Sequence, residues 1–239
     1  MGSTRLPGKV MRKLMGRPML AQQLRRLSPC RRVDEIVIAT TRKDEDDPIV
    51  GLADKHDCMS YRGSEYDVVA RFLGACRQAR ADLVIRITAD CPLIDAGLVD
   101  QVIEEASGHA AECDYASNTI KRTFPRGLDV EAFFHDTLER INRLAVSTQD
   151  REHVTSLLRG DKRGLFAVRS VEDDHDNSDL RWTVDTPTDW KLIAVLYEQL
   201  ELDEHILPYR HILAHVRANP ELAQINSRGK TWDPSDSER

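Results

Sequence analysis

Between residues 33 and 106 the chain alternates three times between a short apolar run and a longer segment of helical periodicity. The runs 33–40, 58–61 and 82–88 have strand length, and the first and third are rich in Val and Ile. The segments 46–56, 66–80 and 97–106 carry apolar residues at helical spacing, with Pro48 in a first turn opened by the acids 44–47. Crossovers of this length join parallel strands. The pattern therefore predicts an α/β architecture: a three-layer, mostly parallel sheet with helices on its faces. Ligands of such sheets bind beyond the carboxyl ends of the strands.

The second half has a different pattern. Segments 114–118 and 128–134 are strand-like and are separated by Lys121-Arg122-Thr123-Phe124-Pro125-Arg126-Gly127. They read as a small β-excursion rather than another strand–helix unit. Helices are expected at 137–144, 190–200 and 207–218, and strands at 165–170 and 180–184. No linker or repeat divides the chain, so 1–225 read as one domain and 226–239 as a polar tail.

The N-terminal stretch Met1-Gly2-Ser3-Thr4-Arg5-Leu6-Pro7-Gly8-Lys9 is the most distinctive loop. Its glycines and cations suit close approach of backbone N–H groups to phosphate. Walker A needs four residues between the glycines and a hydroxyl after the lysine. Here five residues separate Gly2 from Gly8, and Val10 follows Lys9, so a P-loop is disfavoured. Residues 1–33 hold nine Lys and Arg and no acid, while the whole chain carries −6. A nucleic-acid arm is disfavoured by this net charge and by the lack of aromatics in 1–33. The wall of a polyphosphate site fits better.

The five cysteines form no CxxC pair and are odd in number, which implies reduced thiols and a cytoplasmic protein. No apolar run approaches the length of a membrane span. No membrane or nucleic-acid partner is expected.

Asp90 and Asp185 each follow an expected strand at its carboxyl end. Hard oxygen ligands there suit Mg²⁺, which keeps several waters and takes one or two protein carboxylates. An Asp before proline or at a helix start is also an ordinary turn or cap residue.

Several ordered motifs together resemble the sugar cytidylyltransferases of the acylneuraminate and Kdo type. These are Gly2-Ser3-Thr4-Arg5-Leu6-Pro7-Gly8-Lys9, Arg62-Gly63-Ser64, Arg86-Ile87-Thr88-Ala89-Asp90-Cys91-Pro92-Leu93-Ile94-Asp95, Pro125-Arg126-Gly127-Leu128-Asp129-Val130-Glu131, Arg151-Glu152-His153-Val154-Thr155 and Arg181-Trp182-Thr183-Val184-Asp185-Thr186-Pro187. The resemblance is nearest to the spore-coat polysaccharide biosynthesis branch, also called glycosyltransferase-like.

This resemblance implies a Rossmann-like nucleotidyltransferase that transfers CMP from CTP to an acidic or phosphorylated sugar, with Mg²⁺ and release of pyrophosphate. By motif, Gly2, Ser3, Arg5, Gly8 and Lys9 would hold the triphosphate, and Arg62 and Ser64 would reach the base or ribose. Asp90 and Asp185 would hold Mg²⁺, and with Arg5 and Lys9 would form the catalytic set. Asp129, Glu131, Arg151, Glu152 and His153 would line or brace the sugar side. Arg151-Glu152-His153 reads equally as a surface charge cluster, and Asp129 and Glu131 as the polar face of a strand. A homodimer is implied, with 115–135 as its contact arm.

Related chains carry a short apolar strand before the loop. The first strand is therefore expected to be missing from this sequence, through a late start or a genuine shortening. Two alternatives remain open: a glycosyltransferase using a sugar-nucleotide donor, and an inactive binding homologue.

Overall fold

The computed structural model describes residues 5–161 and 164–227. The chain begins with a 3₁₀ turn at Lys9–Met11 and a two-residue hairpin, β1 (Lys13–Leu14) and β2 (Arg17–Pro18). Both turn residues have positive φ, Met15 at 48° and Gly16 at 78°, the geometry a tight hairpin demands. Helix α1 (Met19–Leu27) follows, then β3 (Val37–Thr41), α2 (Asp47–Lys55), β4 (Met59–Gly63), α3 (Val68–Ala79), β5 (Leu83–Arg86) and α4 (Ala96–Gly108). This is the expected alternation.

Local chemistry sets the helix boundaries. The carboxylates of Asp67 and Asp95 accept from the backbone N–H groups of Ala70 and Leu98, capping α3 and α4. Helix α3 stops at Arg80, which adopts a left-handed conformation with φ 53°.

The excursion supplies β6 (Tyr115–Ser117) and β7 (Glu131–Phe134). Then come α5 (His135–Leu144), α6 (Thr148–Glu152), α7 (Ser156–Arg159), β8 (Val168–Ser170), α8 (Pro187–Gln199), α9 (Tyr209–Ala218) and α10 (Pro220–Gln224). β3 and β4 pair in parallel, with Val37 opposite Met59. A four-stranded sheet runs β5-β7-β6-β8. β6 and β8 are parallel, and antiparallel pairing enters through β7, the return strand of the excursion.

The main core packs α4 and α8 against Phe124, Leu128 and Trp182. A second cluster joins Val69, Leu73, Tyr115, Phe133 and Leu138. Among the described residues no helix is long and apolar enough to cross a membrane.

Two local expectations change. Residues 180–184 do not form a ladder: they make one parallel bridge, Arg126 to Arg181. Their backbone bonds are divided between two other segments: the Trp182 N–H goes to the Arg126 carbonyl at 2.6 Å and the Val184 N–H to the Asp90 carbonyl at 2.9 Å. Asn226, which composition assigns to the polar tail, is 3% exposed. Its amide donates to the Arg181 carbonyl and the Asp189 carboxylate, both at 2.9 Å; the tail beyond residue 227 lies outside the described residues. The stretch 115–135 is folded into its own core, with Phe124, Leu128 and Val130 buried. Apolar side chains of that stretch therefore stabilise the monomer's interior.

Candidate active site

The loop is built on Gly8, which sits in the left-handed region with φ 65°. There a side chain would be strained. Leu6 anchors the loop in the core, and the Lys9 N–H closes the turn onto the Leu6 carbonyl at 3.2 Å. The hairpin then locks down: the Met19 N–H reaches the Arg12 carbonyl at 2.9 Å, and the Arg12 guanidinium lies 4.5 Å from the Trp190 ring centre. Packing on both sides thus aims the Lys9 side chain inward.

Its ammonium reaches three acceptors. It donates to Asp90 Oδ2 at 3.0 Å, Asp185 Oδ1 at 3.0 Å and the Val184 carbonyl at 2.7 Å. The two carboxylates therefore converge on one cation-sized point. Their supports differ. Thr88 Oγ1 donates to Asp90 Oδ1 at 2.6 Å, and the Val184 N–H donates to the Asp90 backbone carbonyl at 2.9 Å. Asp185 is clamped by Arg181, whose Nη2 is 2.5 Å from Oδ2. Arg181 Nε also donates to Asp189 Oδ1 at 3.1 Å. Asp189 in turn accepts from the backbone N–H groups of Asp185 and Thr186 at the start of α8.

Charge balance follows from this geometry. Burial works against the Lys9 ammonium, but Asp90 and Asp185 outweigh it and hold the pKa above the ordinary lysine value. Burial likewise opposes ionised Asp185; Lys9, Arg181 and Arg5 outweigh it and hold the carboxyl below the usual range. Asp189 is also held low: the Asn226 hydrogen bond and Arg181 overcome its burial. Cys91, beside Asp90, is pushed well above the ordinary thiol value by burial and by that carboxylate. It is a neutral buried thiol and not a nucleophile.

Arg5, Lys9, Asp90 and Asp185 are thus brought together, with Arg5 Nη2 at 3.6 Å from Asp185 Oδ1 and its side chain 59% exposed. Gly2 and Ser3 lie outside the described residues. Arg62 is turned to the loop after β3: it donates to the Thr41 and Lys43 carbonyls at 2.9 and 2.6 Å and to Asp47 at 2.6 Å. Ser64 is exposed, and its hydroxyl accepts from the Asp67 N–H at 3.1 Å. Asp129 forms a two-pronged pair with Arg122 at 2.7 and 2.9 Å.

Glu131 is 4% exposed. It pairs with Arg86 and accepts from Tyr115 Oη at 2.8 Å and Thr155 Oγ1 at 2.6 Å. It braces sheet against helix rather than presenting a free carboxylate. Arg151 reaches Asn142 at 2.7 Å and Asp67 at 3.4 Å, while Glu152 and His153 are exposed.

Arg181 and Asn226 are site supports that the sequence reading missed. The signal for Arg181 was present: it stands four residues before Asp185 and eight before Asp189.

Two carboxylates closed over by a cationic loop on an α/β fold are an arrangement suited to handling phosphate. The family of cytidylyltransferases matches residues 1–206. The chain belongs to that family, and so to the nucleotidyltransferases. It is 35% identical over 228 residues to an uncharacterized protein of Methanocaldococcus jannaschii, covering 95% of this chain and 90% of that one. It is 32% identical over 206 residues to the spore coat polysaccharide biosynthesis protein SpsF of Bacillus subtilis, covering 83% of each. A solved cytidylyltransferase from Leptospira borgpetersenii superposes with a TM-score of 0.87 at 28% identity, covering 94% of this chain and 93% of the other.

Proposed function

We propose that this protein transfers CMP from CTP to a sugar acid or a phosphorylated sugar used in surface polysaccharide synthesis. The observation that carries the reading is the convergence of Asp90 and Asp185 on Lys9 Nζ at 3.0 Å each, under a loop that also presents Arg5. An acceptor hydroxyl oxygen attacks the α-phosphorus of CTP. The bond from that phosphorus to the bridging oxygen breaks, pyrophosphate leaves, and the hydroxyl proton passes to solvent or a base.

Arg5 and Lys9 would meet the charge that grows on the leaving pyrophosphate. Gly8 lets the backbone approach the phosphates closely. Arg181 keeps Asp185 ionised and oriented.

The donor set fits Mg²⁺. Two carboxylates and one carbonyl, all hard oxygens, surround the position that the Lys9 ammonium holds, and Mg²⁺ binding there would require Lys9 to turn to the phosphates. Asp90 and Asp185 would hold it, and it would neutralise phosphate charge and align the triphosphate for attack.

The sugar side belongs to the same proposal, with Asp129 and the exposed pair Glu152 and His153 as its candidate contacts. Homodimerisation and a cytoplasmic location complete it.

The test is pyrophosphate release with Mg²⁺, each of the four ribonucleoside triphosphates, and a panel of sugar acids and sugar phosphates. Release with CTP and a particular acceptor supports the proposal. Nucleoside diphosphate released from a sugar-nucleotide donor would replace it with glycosyl transfer.

A further inference from the structure

A lysine ammonium has three N–H donors, and the Lys9 ammonium meets three acceptors: Asp90 Oδ2 and Asp185 Oδ1 at 3.0 Å and the Val184 carbonyl at 2.7 Å. In this arrangement it has no donor left for a phosphate oxygen. The side chain is 12% exposed, so the ammonium also shields the position from water.

The acceptors are held in place by other groups. Asp90 Oδ1 accepts from Thr88 Oγ1 at 2.6 Å, and the Thr88 carbonyl accepts from the buried Gln23 amide at 2.8 Å. Asp185 Oδ2 accepts from Arg181 at 2.5 Å. The Val184 N–H is tied to the Asp90 backbone carbonyl at 2.9 Å. Each carboxylate is thus fixed through one oxygen while the other points at the shared position. That frame survives departure of the ammonium. Lys9 can leave by side-chain rotation alone, because its charge ends a flexible four-carbon stem. Its backbone N–H meanwhile stays on the Leu6 carbonyl at 3.2 Å.

Charge decides what enters. Asp90 and Asp185 already have Lys9 and Arg181 as partners. A divalent cation arriving alone would have to shed water and displace an ammonium with three hydrogen bonds. A triphosphate shifts the balance, since its β- and γ-phosphates offer Lys9 a competing, strongly anionic set of acceptors. Arg5 is 59% exposed and 3.6 Å from Asp185, and stands outermost to meet them.

With Asp90 and Asp185 read as the holders of Mg²⁺, on which this rests, we propose that Lys9 is the resident cation of the empty site. It bars free divalent metal, and the β- and γ-phosphates of the nucleotide unlock the site by drawing the ammonium away. Lys9 then selects triphosphates as well as binding them: a nucleoside monophosphate leaves it on the carboxylates.

Two measurements test this without an acceptor and without turnover. In the first, Mn²⁺ stands in for Mg²⁺, no nucleotide is present, and free Mn²⁺ is followed by electron paramagnetic resonance. Lys9→Met is expected to bind Mn²⁺ at least tenfold more tightly than wild type, and Asp185→Asn added to Lys9→Met is expected to abolish that gain. The second uses the wild-type chain with ¹³Cε-labelled lysine in EDTA, where the Lys9 signal is the one missing from Lys9→Met. It is expected to shift at saturating CTP and to stay in place at saturating CMP. Equal Mn²⁺ affinity in wild type and Lys9→Met would overturn the proposal; loss of that binding in Asp185→Asn would leave the metal reading standing. No Mn²⁺ binding to either chain would overturn both. A Lys9 signal unmoved by CTP, or moved equally by CMP, would also overturn the proposal.

Discussion

Lys9 Nζ and Asp185 Oδ1 are 176 positions apart in sequence and 3.0 Å apart in space. The same ammonium holds Asp90 at 3.0 Å. One N-terminal side chain thus ties together two loop carboxylates from opposite halves of the chain. Removing its charge leaves two half-buried carboxylates facing each other. Lys9→Met is expected to reduce kcat/KM for CTP by about 10²–10³-fold, the scale of one lost transition-state donor. Far-ultraviolet circular dichroism should stay unchanged, and steady-state pyrophosphate release measures the loss.

Arg181 contacts no candidate substrate position. It fixes Asp185 through Nη2 and Asp189 through Nε. Lysine cannot reproduce that fork. Arg181→Lys is expected to weaken Mg²⁺ activation by about 10–100-fold, the usual cost of losing a group that orients a ligand. An Mg²⁺ titration of activity at saturating CTP reads this. An unchanged Mg²⁺ midpoint would remove Arg181 from the positioning role.

Glu131 and Arg86 form a buried pair. Burial opposes the Glu131 charge, but Arg86, Arg159 and the hydroxyls of Thr155 and Tyr115 overcome it and hold the pKa below the ordinary 4.5. Because the folded-state value is the lower one, the stabilisation is fully present above pH 4.5 and is lost as pH falls through the folded value. Glu131→Gln leaves the Arg86 charge uncompensated and is expected to cost about 3–5 kcal/mol near neutrality. The difference from wild type should shrink in acid. Urea unfolding at a series of pH values measures both parts.

Gly127 has φ 101°, and a Cβ there would stand 2.4 Å from the Thr183 backbone nitrogen. No side-chain rotation relieves a clash with backbone. Gly127→Ala is expected to destabilise by roughly 2–4 kcal/mol and to lower Tm by on the order of 10 °C. Scanning calorimetry reads this; a shift below about 2 °C would show that the 126–182 contact relaxes freely.

The alternation of 33–106 was legible because each element carries its own period, and α3 and α4 also their own caps. Asp67 and Asp95 begin their helices wherever the chain goes next. Asp90 was legible for the same reason, since it follows the end of β5; Asp185 was legible although 180–184 is extended chain and not a ladder strand. The roles of Arg62 and Glu131 were not. One is spent on the 41–47 loop and the other is buried under Tyr115, and both facts depend on partners distant in sequence. Asn226 looked like tail because polar composition does not reveal that its amide completes the Arg181–Asp189 pair. The strand 180–184 failed as a ladder because its backbone bonds are divided between Arg126 and Asp90, partners distant in sequence.

The central claim is attack at the α-phosphorus of CTP beside Asp90 and Asp185. The direct measurement follows label from CTP marked at the α- or γ-phosphate, with Mg²⁺ and an acceptor that releases pyrophosphate. The account predicts that α-label moves to a CMP–acceptor product and γ-label appears in pyrophosphate, both lost in Asp90→Asn and Asp185→Asn. An α-label that stays on CMP or CDP with no acceptor adduct, or an adduct formed equally well by both variants, would contradict it.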